Sequence, residues 1–358
     1  MKSIYHLLIL CLCASLLSAC QISYLVKSGY NQMKLLSQRV PIEEALKDPQ
    51  ISETDKNKLR LAQEARKFAE KDLHLKPTKN YSSFVQLDRP YVTYVVSAAP
   101  RWELKHYQWS YPFVGKMPYK GYFNENDARE EEKDLQQSEN LDTYMRGVSA
   151  YSTLGYFNDP LLSSMLRYDD YDLVNTIIHE TVHATLYIKH AADFNERLAT
   201  FLGNKGAEQF YLKKEGPDSK TLLQLRKEND DAKAFSKFIS TELAALEKWY
   251  KDLPADDRSE DKRMERIRQI QEKFTTELQP HLQTDNHKKF PELKLNNARL
   301  LVYKTYMQDL SDFQTLYELL GSDYSRFIEN CKALEKAPDP TAALKQMIVD
   351  ITKQAQQK

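Results

Sequence analysis

The 358-residue chain is short of glycine, with 9, and of cysteine, with 4. Scarce glycine argues against a turn-rich β architecture and for long helices. Three of the cysteines, Cys11, Cys13 and Cys20, fall within the first twenty residues. Beyond them stands Cys331 alone, and one thiol closes no intramolecular disulfide, so no such staple holds the body of the protein. An excess of either charge is also missing. Lys+Arg and Asp+Glu number 51 each and form no basic run, which makes nucleic acid or an anionic membrane surface a poor partner. No apolar stretch after residue 20 is long enough to span a bilayer. The 28% charged and 41% hydrophobic residues are those of an ordinary globular protein.

What is there begins at the N-terminus. Lys2 supplies a basic start, and Leu7 to Leu16 form an apolar run too short to cross a bilayer, so residues 1–19 read as a signal peptide. Leu17-Ser18-Ala19-Cys20 follows directly and resembles a bacterial lipobox. That resemblance implies that Cys20 becomes the first mature residue, acylated on its sulfur and on its new amine. Three chains anchor firmly where one would be marginal. Gln21 in place of Asp implies, by analogy with Gram-negative sorting, the outer membrane facing the periplasm. Cys331 reads as a small buried side chain in the last helical region.

Residues 179–183 read His179-Glu180-Thr181-Val182-His183. Two histidines four apart on a helix leave from one face about 6 Å apart, close enough to share one Zn2+ through ring nitrogens. Glu180, beside the first, is placed as general base toward a water held by that ion. Such a string arises by chance about once per hundred chains of this kind, so the flanks matter. Leu173, Val174, Ile177, Ile178, Val182 and Leu186 surround the helix with apolar side chains and predict its burial. Polar groups inside a buried helix need partners, and a metal supplies one. His190 shares the helical face, but a continuous helix carries it about 10 Å along the axis from His183, and it reads as a cation at the helix C-terminus. Glu196 is the better third ligand. It opens a second apolar-periodic stretch through Leu202 and is expected on a neighbouring antiparallel helix, with residues 190–195 as the turn. Three protein ligands leave a fourth position open for water, as hydrolysis requires.

Asn195-Glu196-x-x-Ala199-Thr200-Phe201 is similar to the signature of gluzincin metallopeptidases, whose third zinc ligand is the Glu. The resemblance implies that Asn195 and Thr200, flanking Glu196, steady the ligands from behind. The gap between His183 and Glu196 is shorter than in the aminopeptidase N class. A fuller match takes in Ala98-Ala99-Pro100, Trp109 to Gly115, Tyr119 to Phe123, Ala150 to Pro160, the metal helix, Phe194-Asn195-Glu196 and Asn296-Asn297-Ala298. Together these resemble a bacterial family of envelope proteins described as putative aminopeptidases. The resemblance covers most of the chain, most densely between residues 90 and 205. It implies a zinc metallopeptidase, an aminopeptidase acting on peptides. A peptide oxyanion also wants a donor opposite the metal, often a Tyr, and Tyr151, Tyr303 and Tyr306 are the candidates.

The expected fold class is α+β, mostly helical: a zincin-like catalytic core with a small mixed sheet, flanked by long helices. Residues 20–78 read as a helical anchor region, with an amphipathic segment at 22–38, a short helix opened by Pro41, and a long one capped by Ser52 or Thr54. Residues 79–210 read as the core. There Tyr91 to Val96 is the best strand, Trp102 to Val114 and Tyr119 to Phe123 are further ones, and their sheet is expected beside the metal helix with an edge for the substrate backbone. Residues 211–358 read as helical, with a hairpin made of a helix at 218–253, a break at Pro254 and a second helix through Leu278. One or two more helices are expected over 292–335, and a frayed tail after 352. Two other functions share these residues. A degenerate, scaffolding lipoprotein with structural zinc would need a fourth protein ligand, His190 or Asp193 being nearest, and would have no use for Glu180. A hydrolase of cell-wall peptides would share the mechanism and differ in substrate.

Overall fold

Helix α1 (22–37) leads into strand β1 (Val40–Pro41) and a single turn, α2 (Ile42–Ala45), which Pro41 opens with its preset φ. The computed structural model describes residues 22–111, 115–150, 153, 157–306 and 309–356. Ser52 caps α3 (Glu53–Lys71) by accepting the Asp55 N–H, and Leu59, Ala62, Ala65 and Ala69 bury one face of it. Next come β2 (Ser83–Val85), β3 (Thr93–Ala99), β4 (Trp109–Tyr111), β5 (Gly115–Met117) and β6 (Tyr119–Tyr122). Helix α4 (Glu125–Ser138) and strands β7 (Asp142–Val148) and β8 (Leu161–Leu162) follow. The remainder is helical: α5 (Asp170–Thr185), α6 (Ala192–Glu215), α7 (Lys220–Asp252), α8 (Glu260–Lys273), α9 (Asn297–Tyr306), α10 (Ser311–Leu319), α11 (Tyr324–Lys332) and α12 (Pro340–Gln356). The fold is a mostly helical α+β one.

The strands form three small sheets rather than one. β6-β3-β7 is antiparallel throughout, β1-β2-β8 is mixed, and β4-β5 is a two-stranded ribbon. β3 is the strand expected at Tyr91 to Val96, displaced to 93–99. Its longest pairing, Thr93↔Val148 to Ala99↔Asp142, is with β7, which the sequence did not announce. Asp142-Thr-Tyr-Met-Arg-Gly-Val carries charge and glycine, and its β-ness comes from its place beside β3. Helix α4 was likewise unanticipated. Tyr94, Val96 and Ala98 alternate onto Ala128 and Leu135 of α4. Ala99, on the other side, meets Leu104 and the core of α7, α8 and α9. The main packing partners of this sheet are therefore α4 and α9, whereas α5 packs chiefly on α3 and α6.

The core around α5 draws on both ends of the chain, from Leu59 and Leu73 to Phe313, Phe327 and Leu344. The hairpin falls where Pro254 predicted. The C-terminal region holds α9, α10 and α11 where one or two helices were expected, and α12 continues to Gln356 instead of fraying after 352. Leu344 is fully buried, and packing of this kind holds a polar-ended helix that its own propensity would not. A buried pair links the sheet to the hairpin: Arg263 grips Asp142 through Nη1 and Nη2 at 2.6 and 3.1 Å, and Asp142 also accepts the Asn297 N–H at the start of α9. Among the described residues, no helix is long and apolar enough to cross a membrane.

Candidate metal centre

Helix α5 is apolar on nearly every side, with Leu173, Val174, Ile177 and Ile178 fully buried, so its polar residues stand out against the rest. His179 and His183, one turn apart, turn their Nε2 atoms toward each other at 3.1 Å, with ring centroids 4.8 Å apart. Glu196 comes from α6, which packs on α5 more extensively than any other helix does. Its two carboxylate oxygens lie 3.5 Å from His183 Nε2 and 3.6 Å from His179 Nε2. Among the described residues, these three form the one group able to hold a metal ion.

The distances test whether zinc fits. Ligand atoms bound at 2.0–2.1 Å around a tetrahedral ion stand about 3.3–3.4 Å apart; here the ring nitrogens are 3.1 Å apart, one carboxylate oxygen lies 3.5 Å from His183 Nε2 and the other 3.6 Å from His179 Nε2. Two ring nitrogens and a carboxylate brought this close could hold a cation between them. Burial disfavours the charged form of His183, and the neighbouring His179 adds to that, so its ring is pushed down to about 4 and is neutral, the ligating form. For His179, burial works downward too, but the Glu196 carboxylate and the charge of Glu180 outweigh it and raise the ring above its ordinary value. Burial would lift Glu196, but the two histidines more than offset it and leave the carboxyl low. The donor set fits zinc.

The close approach of α6 to α5 has a local cause. A Cβ on Gly203 would lie 2.9 Å from Asn175 Oδ1 and 3.3 Å from His179 Cβ, and one on Gly206 would lie 2.8 Å from Leu73 Cδ1 and 2.9 Å from Ile178 Cγ2. With Ala199, these small residues let the helices touch near the backbone. Asn175 cross-links them further by donating to Asn204 Oδ1 at 2.7 Å.

The connection between the two helices departs from expectation. α5 stops at Thr185, Leu186 is extended, and α6 begins at Ala192, so the turn is 186–191 and Glu196 stands on the second turn of its helix. His190 is therefore not on the metal helix at all. It sits exposed in the turn with φ 64°, and Asp193 is exposed on the first turn of α6. The helix ends without glycine because Leu186 and Ile188 gain burial by leaving it, and Asn195 holds them there. Asn195 Oδ1 accepts the Ile188 N–H at 2.9 Å, and its Nδ2 donates to the Ile188 carbonyl at 2.8 Å. Thr200 lies one turn beyond Glu196, half-buried, and no hydrogen bond joins its hydroxyl to the three metal-facing side chains among the described residues.

Glu180 is half-buried beside His179, and its charge reaches two phenols, one buried and one half-buried. Burial first, then the charge of Glu180, holds Tyr81 well above its ordinary range, and Tyr168 is raised by burial, by Asp172 and by Glu180. Tyr81 has φ 57°, a left-handed backbone that a bulky residue seldom adopts. A third tyrosine, Tyr187, sets its ring edge to face with His183 at 6.3 Å, and burial followed by the Glu196 charge raises its phenol. None of the three was picked from the sequence. Tyr187 alone carried a signal, its place four residues after His183. Of the tyrosines that were picked, Tyr303 is built into the second core between Phe235 and Phe290. Tyr151 and the side chain of Tyr306 lie outside the described residues, as do Cys20 and the signal segment 1–19.

Compared with known proteins, residues 23–346 match the family model described as "Putative aminopeptidase". No curated protein and no solved structure matches the chain.

Proposed function

The chain belongs to the "Putative aminopeptidase" family, and from that membership, which supports peptide hydrolysis broadly, we propose that it is a zinc-dependent metallopeptidase acting as an aminopeptidase. The observation that carries the metal part is the convergence of His179 Nε2, His183 Nε2 and the Glu196 carboxylate, whose two oxygens lie 3.6 and 3.5 Å from the two ring nitrogens. A zinc ion held there supplies a Lewis acid for the scissile carbonyl and lowers the pKa of the attacking water. Glu180 accepts the proton of that water and passes it to the leaving amine. Asn195 fixes the turn that carries Tyr187, whose ring meets that of His183 edge to face.

The absence of a fourth protein ligand among the described residues favours catalysis over the scaffold reading, since His190 and Asp193, the nearest candidates, are exposed outside the group. The lipobox-like Leu17-Ser18-Ala19-Cys20 supports a chain anchored through Cys20, its catalytic body in the periplasm and its membrane the outer one.

The test is metal content and peptide hydrolysis of the full chain beside two variants. Wild type should hold about one zinc per chain, as a single three-ligand site does. Glu196→Ala should lose it or bind it far more weakly. Glu180→Gln should keep the metal and lose hydrolysis of aminoacyl and peptide substrates by about 10²–10⁴-fold or more. A metal-free wild type after reloading would remove the enzyme reading, and an active Glu180→Gln would remove the general base.

A further inference from the structure

The described residues open on a helix whose outer face is exposed among them. In α1, Ile22, Val26, Tyr30 and Met33 are 60, 66, 68 and 58% exposed. They fall at i, i+4, i+8 and i+11, so they line one stripe, and Leu25 borders it. The opposite face and the last turn are fixed to the body. Leu35 and Leu36 are buried, the Tyr24 hydroxyl donates to the Gly121 carbonyl at 2.7 Å, and Lys27 pairs with Asp127 at 2.5 Å. Residues 22–37 contain no acid, and Lys27 and Lys34 flank the stripe on one side.

We propose that this stripe lies in the surface of a phospholipid bilayer, so that α1 seats the catalytic body on the membrane. The proposal rests on the lipid-anchor reading of Cys20. Two residues of chain reach at most about 7 Å, so acyl chains on Cys20 bring Ile22 to the bilayer surface in any conformation of the link. An apolar face held there would otherwise sit in water beside a hydrocarbon phase. Lys34, exposed at the border of the stripe, is placed to keep its ammonium group at headgroup level while its stem lies along the apolar edge. The contact is apolar: the four stripe side chains carry no charge, and a chain with nearly balanced acids and bases has little net charge to draw it to an anionic surface. Because α1 is clamped to β6 and α4, seating this face orients the whole body, where a flexible tether would leave it free to tumble.

The test uses the full chain carried through its own membrane processing and reconstituted into phosphatidylcholine vesicles. One sample bears an environment-sensitive dye at Met33→Cys, another at Asp256→Cys in the exposed turn between α7 and α8. Cys331 is buried and does not compete for the label. The proposal expects blue-shifted emission at position 33, several-fold stronger quenching there by nitroxide-bearing lipid than at position 256, and protection from aqueous iodide. Equal iodide quenching at both positions would overturn it. So would a label at 33 shielded from iodide yet untouched by nitroxide lipid, which would mean that the face packs on protein. Intact mass reports separately whether Cys20 carries acyl chains. An unacylated chain overturns the anchor reading, whereas an acylated chain with a water-exposed position 33 overturns the seating of α1 alone.

Discussion

Asn195 is 1% exposed, and both ends of its amide are spent on the backbone N–H and carbonyl of Ile188. Its side-chain hydrogen bonds go to Ile188, and by closing the turn that sets α6 against α5 it fixes where Glu196 meets the two histidines. Asn195→Ala strands a buried N–H and a buried carbonyl, at about 1–3 kcal/mol for each group left unpaired. A lower denaturant midpoint is expected, together with zinc affinity reduced about 10–100-fold, as for other residues that orient ligands indirectly. Equilibrium unfolding and a competitive chelator titration measure the two effects separately. A drop in stability with unchanged zinc affinity would confine Asn195 to holding the turn.

At the scale of elements, the contact between α5 and α6 decides the site. Gly203 is the narrow point, because its missing Cβ leaves room for Asn175 and for the base of His179. Gly203→Ala puts a methyl group into a filled space at a cost of about 1–3 kcal/mol and spreads the helices that carry His179, His183 and Glu196. Gly29→Ala in α1 is the matched control. A Cβ there meets nothing within 4 Å, and removing glycine from a helix interior should stabilise by about 0.5–1 kcal/mol. Thermal melts with and without zinc should show the Gly203 variant lower in both and with less added stability from the metal. The Gly29 variant should match or exceed wild type.

For the whole molecule, acid stability draws on carboxylates that tie elements together. Glu131 of α4 accepts hydrogen bonds from Trp109 Nε1 at 2.7 Å, Lys120 Nζ at 2.9 Å and the Tyr122 hydroxyl at 2.7 Å, joining the helix to β4 and β6. Burial would raise this carboxyl, but the donors outweigh it and hold it below the usual range. A folded-state value below the unfolded one contributes stability above the unfolded pKa, and that contribution is lost as pH falls through the folded value. Glu131→Gln should therefore flatten the acid limb of unfolding free energy against pH. It should also cost stability at neutral pH, read by urea unfolding across a pH series. An unchanged acid limb would show that the cluster does not contribute to acid sensitivity.

Much of this was legible along the chain. The spacing of His179, Glu180 and His183, the all-round apolar surface of α5, the cap at Ser52 and the break at Pro254 depend on neighbours three or four residues apart. Helical periodicity and capping are written at that range. Glu196 was legible as a candidate because it sits within an apolar-periodic helix close behind the histidines. The rest was settled by contacts between distant segments. β7 is a strand because β3 lies beside it, α5 ends at Thr185 because Leu186 and Ile188 find burial outside the helix, and Tyr303 serves the core because Phe235 and Phe290 surround it. Local sequence thus determined which side chains could grip a metal. The packing of α6 on α5 through Gly203 and Gly206 decided that they meet, because an interhelical distance is set by the volume of both faces at once.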